Sequence, residues 1–269
     1  MAARRIFIAV FIVVSLLTAS CTPLPAPITR VPVATPEGGE PLTPITLAMG
    51  YIPSVQFAPF YVAYEKGYFA EEGLKVEFIY GSETDMLKLL GNGELQFVIG
   101  SGEQVILARS QGLPVTYVLR WYNSFPVVDF APAERGLREP NDLLGHKIGI
   151  PGLYGASYIA WKALVFAFGL DEKQITLDSI GFTQAEAVRA GRVDAAVDYM
   201  VNGPVQLRLA GQEVDMIRVA DYIDLPANGL VTSDQVIRTQ PALVQKVVNA
   251  ILRGLRHTLD QPDESFAIC

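Results

Sequence analysis

Short apolar runs alternating with helical stretches predict an α/β protein whose sheets are largely parallel. Three observations carry that prediction. Apolar runs at residues 45–49, 74–79 and 97–99 each lead through loop-forming residues into a segment with helical spacing. Gly67, Gly91 and Gly112 stand where those three helices should stop. A second series of the same kind starts at residue 146, so the chain is expected to build two lobes.

Taken in order, residues 45–49 read as a first strand ended by Gly50 and Pro53, and residues 57–66 as a helix ended by Gly67. Residues 74–79 alternate as a second strand, residues 85–90 form a short helix, and residues 97–99 are a third strand. A helix over 103–110 and a fourth strand over 115–119 complete the first lobe, placed at 45–130. Residues 131–141 are polar and carry proline, which suits a crossing between lobes. The second lobe, placed at 131–227, has strands at 146–150, 176–180, 194–197 and 216–219. Its helices are expected at 157–168, 184–190 (capped by Thr183) and 204–209, with a loop at 151–155. Residues 225–231 read as a return crossing, and the amphipathic stretch 243–259 as a helix that packs back on the first lobe within a last segment, 228–269.

The chain opens with Arg4 and Arg5, an apolar run from Ile6 to Leu17 broken only by Ser15, and small residues before Cys21. That layout is an export signal, and its apolar run is shorter than the roughly 20 residues a permanent span requires. Residues 17–21 (LTASC) resemble a lipobox, which implies lipidation of Cys21 and a membrane anchor. The resemblance departs where Thr18 occupies the usual leucine position. Residues 22–44 hold seven prolines and no hydrophobic periodicity, so they read as a semi-rigid tether.

A formal net charge of −7 without basic clusters argues against nucleic acid as a partner. The two cysteines are Cys21 and Cys269, and the two histidines are His146 and His257, none in ligand-like spacing. A disulfide framework, a metal site and a Ser-His-Asp arrangement therefore have no material, and no cofactor or catalytic residue is expected.

Several blocks carry a family resemblance. Ala63-x-x-Lys66-Gly67-Tyr68-Phe69-x-x-Glu72-Gly73-Leu74-x-Val76 is followed by GELQFVIG from Gly93, ARSQGLPV from Ala108, DLLGHKIGIP from Asp142 and AGRVDA from Ala190. In that order they resemble the thiamine-precursor, taurine and nitrate binding proteins of ABC importers. The resemblance implies a two-lobed type II periplasmic-binding-protein fold, a monomer that delivers its ligand to permease and ATPase subunits. GYIPSVQFAPFY from Gly50, SGEQ from Ser101 and PGLYGAS from Pro151 look most like the riboflavin and thiamine-pyrimidine binders, with riboflavin favoured. Two departures stand out. Asn202-Gly203-Pro204 replaces a common Asn-Glu-Pro run, and family members usually continue with further helices beyond residue 266. The first lobe is accordingly expected to lack its last helices. A related pyrimidine-synthesis enzyme of this fold uses a cysteine-rich segment, for which residues 22–268 supply no cysteine.

Ligands of open α/β sheets sit beyond the carboxyl ends of the strands. That rule selects Tyr51 and Phe57 after the first strand, Ser101 and Glu103 after the third, and Trp121 and Tyr122 after the fourth. In the second lobe it selects Tyr154, Ser157, Tyr199 and Asn202. Each lobe offers aromatics and few formal charges, a chemistry suited to stacking on a flat heteroaromatic ring. A small anion such as taurine or nitrate would instead call for Arg or Lys forks. Arg120 is the one basic residue beside the set. Phe60, Tyr61, Tyr68 and Phe69 read as packing residues rather than ligand contacts.

Overall fold

The computed structural model describes residues 41–269. The export signal, Cys21 and nearly all of the tether lie outside the described residues. Two five-stranded sheets form, each with helices on both faces.

The first sheet contains β1 (Thr43–Met49), β2 (Leu74–Tyr80), β3 (Phe97–Ser101), β4 (Val115–Arg120) and β10 (Asn228–Ser233), ordered β2-β1-β3-β10-β4. β1 runs parallel to β2 and β3, while β10 inserts antiparallel between β3 and β4. The second sheet is built from β5 (Val127–Pro132), β6 (Lys147–Ile150), β7 (Thr176–Ser179), β8 (Ala195–Tyr199) and β9 (Val214–Arg218), ordered β7-β6-β8-β5-β9. Here β5 is the reversed strand. Each lobe thus has one strand against the grain of an otherwise parallel sheet.

That arrangement corrects the lobe boundary. The chain crosses between Arg120 and Val127, and β5 already belongs to the second sheet, so the crossing is not at residues 131–141. β5 is buried along its whole length, and its sequence VVDFAP hides this behind Asp129 and Pro132. A strand buried on both faces shows no alternation to read.

On one face of the first sheet, α1 (Ala58–Glu65), α2 (Tyr68–Glu71) and α9 (Pro241–Asp260) enclose a core of Leu47, Phe60, Phe69, Phe97 and Val247. α3 (Glu83–Gly91) and α4 (Gly102–Ser110) cover the other face through Leu87, Leu90 and Val105. α5 (Gly155–Phe168) seals one face of the second sheet with Ala160, Trp161 and Leu164, and α6 (Gln184–Arg189) and α7 (Gly203–Leu209) seal the other. α8 (Asp234–Thr239) and α10 (Pro262–Ile268) flank α9. Phe60 and Phe69 are core residues, as their sequence blocks suggest.

α9 buries Leu243, Val247, Ala250, Ile251 and Gly254, a helical stripe laid on α1. Gly254 is required there: a Cβ would come within 2.1 Å of the Pro59 carbonyl oxygen and 2.7 Å of the Ala63 Cβ. Among the described residues no helix is long and apolar enough to cross a membrane.

Candidate functional site

The carboxyl ends of the parallel strands in both lobes converge on one cavity. β1 delivers Gly50 and Tyr51, the turn after β2 delivers Ser82, the start of α3 delivers Glu83 and Thr84, and Gln56 and Phe57 come from the turn before α1. From the second lobe come Pro151 and Tyr154 to Ser157 after β6, Phe182 and Gln184 after β7, and Asp198 and Tyr199 at the end of β8. Asn228 enters from the start of β10, the reversed strand, whose amino end is the one that points to the cleft. The cavity encloses about 60 Å³, room for a few waters.

Aromatic rings close it. Tyr51 and Phe182 meet across the lobes edge to face, with centroids 4.8 Å apart. Tyr154, half exposed at the rim, and Phe57, fully buried, flank them. Burial raises the Tyr51 hydroxyl well above the usual tyrosine range, with the Asp198 charge adding to it, so this ring stays neutral.

The polar end is a carboxylate network. Glu83 Oε1 accepts the Ser101 backbone N–H at 2.6 Å, and Oε2 accepts the Ser101 hydroxyl at 2.8 Å. Burial pushes the Glu83 carboxyl up to about 7 against the pull of those two bonds. The Tyr199 hydroxyl donates to Asn228 Oδ1 at 3.1 Å and lies 3.5 Å from Ser101 Oγ, so the network crosses from one lobe to the other. Asp198 is held the same way in the second lobe. Its Oδ1 accepts the Tyr199 N–H at 2.7 Å and its Oδ2 the Gly203 N–H at 2.9 Å, while burial raises it to about 7.

Five of the ten residues selected from the sequence line this cavity: Tyr51, Phe57, Tyr154, Ser157 and Tyr199. The other five do not, and each has a physical reason. Ser101 is fully buried behind the cavity, where it fixes Glu83. Glu103 sits deeper at the start of α4, its oxygens without a partner among the described residues. Burial and the neighbouring Glu83 charge raise it well above the carboxylate range. Trp121 and Tyr122 both donate backbone N–H groups to the Asn228 carbonyl, so the crossing segment follows β10 and the Trp121 ring folds back onto Phe57 and Phe60. Asn202 is buried in a contact between the lobes: Oδ1 accepts from Ser54 Oγ at 3.1 Å, and Nδ2 donates to Gln56 Oε1 at 3.2 Å. Arg120 turns outward to Asn123.

Among the lining residues that sequence reasoning missed are Glu83, Phe182, Asp198 and Asn228. The strand-end rule applied to the second strand would have selected Glu83, and applied to residues 176–180 would have selected Phe182. Asn228 carried no signal, because only the antiparallel insertion of β10 brings its first residue to the cleft. At Gly203 a Cβ would meet the Phe130 ring at 2.5 Å and Asp198 Oδ2 at 2.8 Å. The Asp198 bond to the Gly203 N–H thus belongs with a residue that has no side chain.

This geometry agrees with what the chain resembles. A family model described as NMT1/THI5 like matches residues 54–265. The chain belongs to the NMT1/THI5-like family. Within it, the riboflavin-binding protein RibY of Chloroflexus aurantiacus is 44% identical over 260 residues, 95% of this chain and 74% of that protein. The formylaminopyrimidine-binding protein of Halalkalibacterium halodurans is 30% identical over 240 residues, 87% of this chain and 72% of its own. Among solved structures, the periplasmic aliphatic sulphonate binding protein SsuA of Escherichia coli superposes with a TM-score of 0.70 at 15% identity, covering 84% of this chain and 77% of that one. The NMT1/THI5-like chain therefore has the two-lobed periplasmic-binding-protein fold, and the two relatives above bear the names of binding proteins.

Proposed function

We propose that this chain is the solute-binding component of an ABC importer that captures a flat heteroaromatic vitamin or precursor, riboflavin first and a thiamine-type pyrimidine second. The observation that carries the reading is the cavity lining: five aromatic rings, two carboxylates, amides and hydroxyls, and no Lys, Arg or His among the described lining residues. Offset or edge-on contacts with a flat ring contribute about 0.5–1.5 kcal/mol per pair beyond area burial. A sulfonate or nitrate would find no cationic fork there, which weighs against the anion alternative. The binding-protein names of RibY and the formylaminopyrimidine-binding protein support the same ligand class. In this reading the protein is not an enzyme, in keeping with the binding-protein names of the relatives at 44% and 30% identity.

The ring ligand would take the place of the Tyr51–Phe182 contact, bridging the lobes and stabilising their closed arrangement. The closed lobes would then be what the permease and ATPase subunits recognise. The export signal would direct the chain across the membrane and lipidated Cys21 would hold it at the outer face, with the tether as spacer.

Calorimetric titration with riboflavin, an aminopyrimidine thiamine precursor, taurine and nitrate tests the reading. Binding of riboflavin or the aminopyrimidine alone is expected, weakened about tenfold or more in Tyr51→Ala. Heat of binding from taurine or nitrate only would overturn it.

A further inference from the structure

The carboxylates of the cleft point to a selectivity that the ring contacts do not explain. Glu83 from the first lobe and Asp198 from the second line the same cavity. Each is clamped by donors of its own lobe: Glu83 by the Ser101 N–H and hydroxyl, Asp198 by the Tyr199 and Gly203 N–H groups. Their orientations are therefore set, and once ionised, above the value near 7 to which burial raises both, their remaining lone pairs can only accept. Glu103 places a third carboxyl behind the first. The nearby partners, Tyr199 and Asn228, are neutral, and no basic side chain among the described lining residues offsets the acids.

We propose that Glu83 and Asp198 make this cleft a selector for unphosphorylated, donor-rich ring ligands, rejecting the phosphate esters of the same rings. The inference rests on the reading of the cleft as a ring site. An imide or amino N–H, or a side-chain hydroxyl, satisfies a clamped carboxylate acceptor. A phosphate ester brings about −1.5 to −2 charges and acceptor oxygens only. At pH 8, where both acids are ionised, it meets like-charge repulsion with no cation to relieve it. Closure would trap the parent compound and leave its ester outside.

The test compares riboflavin with riboflavin 5′-phosphate on the full chain, followed by quenching of flavin fluorescence, in wild type, Glu83→Gln and Asp198→Asn. At pH 8 the ester is expected to bind at least about tenfold more weakly than riboflavin to the wild type. Glu83→Gln should weaken riboflavin and narrow the gap between the two ligands. Equal affinity of the wild type for both ligands would overturn the proposal without any variant. An unchanged gap in both variants, each folded by circular dichroism, would remove these two residues from the selectivity. If riboflavin itself does not bind, the ligand of the proposed function fails instead. The same comparison then passes to the aminopyrimidine alcohol and its phosphate, with equal affinity again overturning the selectivity.

Discussion

Asp129 lies at the centre of β5, opposite Val197 and Ile217 on its two neighbouring strands. Those residues belong to the core under α5, and both Asp129 oxygens are buried without a partner among the described residues. Burial alone raises its carboxyl from 3.8 to about 7. Between the two values the folded chain holds the proton more tightly than the unfolded one, so stability declines as pH rises through that window and levels off above it. At about 1.4 kcal/mol per unit, the loss from this residue is on the order of 4 kcal/mol. Glu83 and Asp198 are raised in the same direction and add to the slope. Asp129→Asn is expected to flatten the fall in melting temperature between pH 5 and pH 8, with Glu83 and Asp198 leaving a residue of it. A slope identical to wild type would show that folding does not raise the Asp129 carboxyl.

At the scale of elements, α9 crosses α1 in close contact on one face of the first lobe. Gly254 lets the Pro59 carbonyl approach, and a larger side chain there must push the helices apart. Gly254→Leu should therefore destabilise the protein by about 1–3 kcal/mol, the usual cost of overpacking, measured as a lower urea midpoint. A midpoint equal to wild type would mean the two helices are not pressed together. α9 was legible from sequence because its apolar residues recur at 3.6-residue spacing over five turns, and the observed helix extends that reading by only a few residues. β5 was not legible, because a short strand buried on both faces, with an acid inside and a proline at its end, has neither alternation nor a uniform apolar run. β9 was read two residues late for a related reason: Arg218 ends an exposed-edge strand whose pattern fades into the turn after it.

Across the whole molecule, the two-lobed plan and the place of the cleft followed from strand order and family blocks, while the partition of residues within the cleft did not. Tyr51, Tyr154 and Tyr199 lie at strand ends and were selected by that rule; Trp121 obeys the same rule and still turns away, because its backbone N–H is committed to β10. Sequence says which loops meet at the cleft, but hydrogen bonds made far along the chain decide which side chains face it. The same holds for Asn202, whose bonds to Ser54 and Gln56 join the lobes beside the cavity. With Tyr51 on Phe182 and Tyr199 on Asn228, these contacts close the lobes on one another. A ligand that binds here must exchange some of them for its own, so the lobes and the ring compete for the same surfaces.

The central claim, a cleft that traps a flat ring between aromatic side chains, is tested most directly by flavin emission. Riboflavin emission should fall on addition of equimolar protein, as the ring enters the aromatic cleft. The quench should saturate at one flavin per chain and be lost in a Tyr51→Ala, Phe182→Ala double variant. Undiminished riboflavin emission at saturating protein, with taurine or nitrate raising the melting temperature instead, would contradict the account.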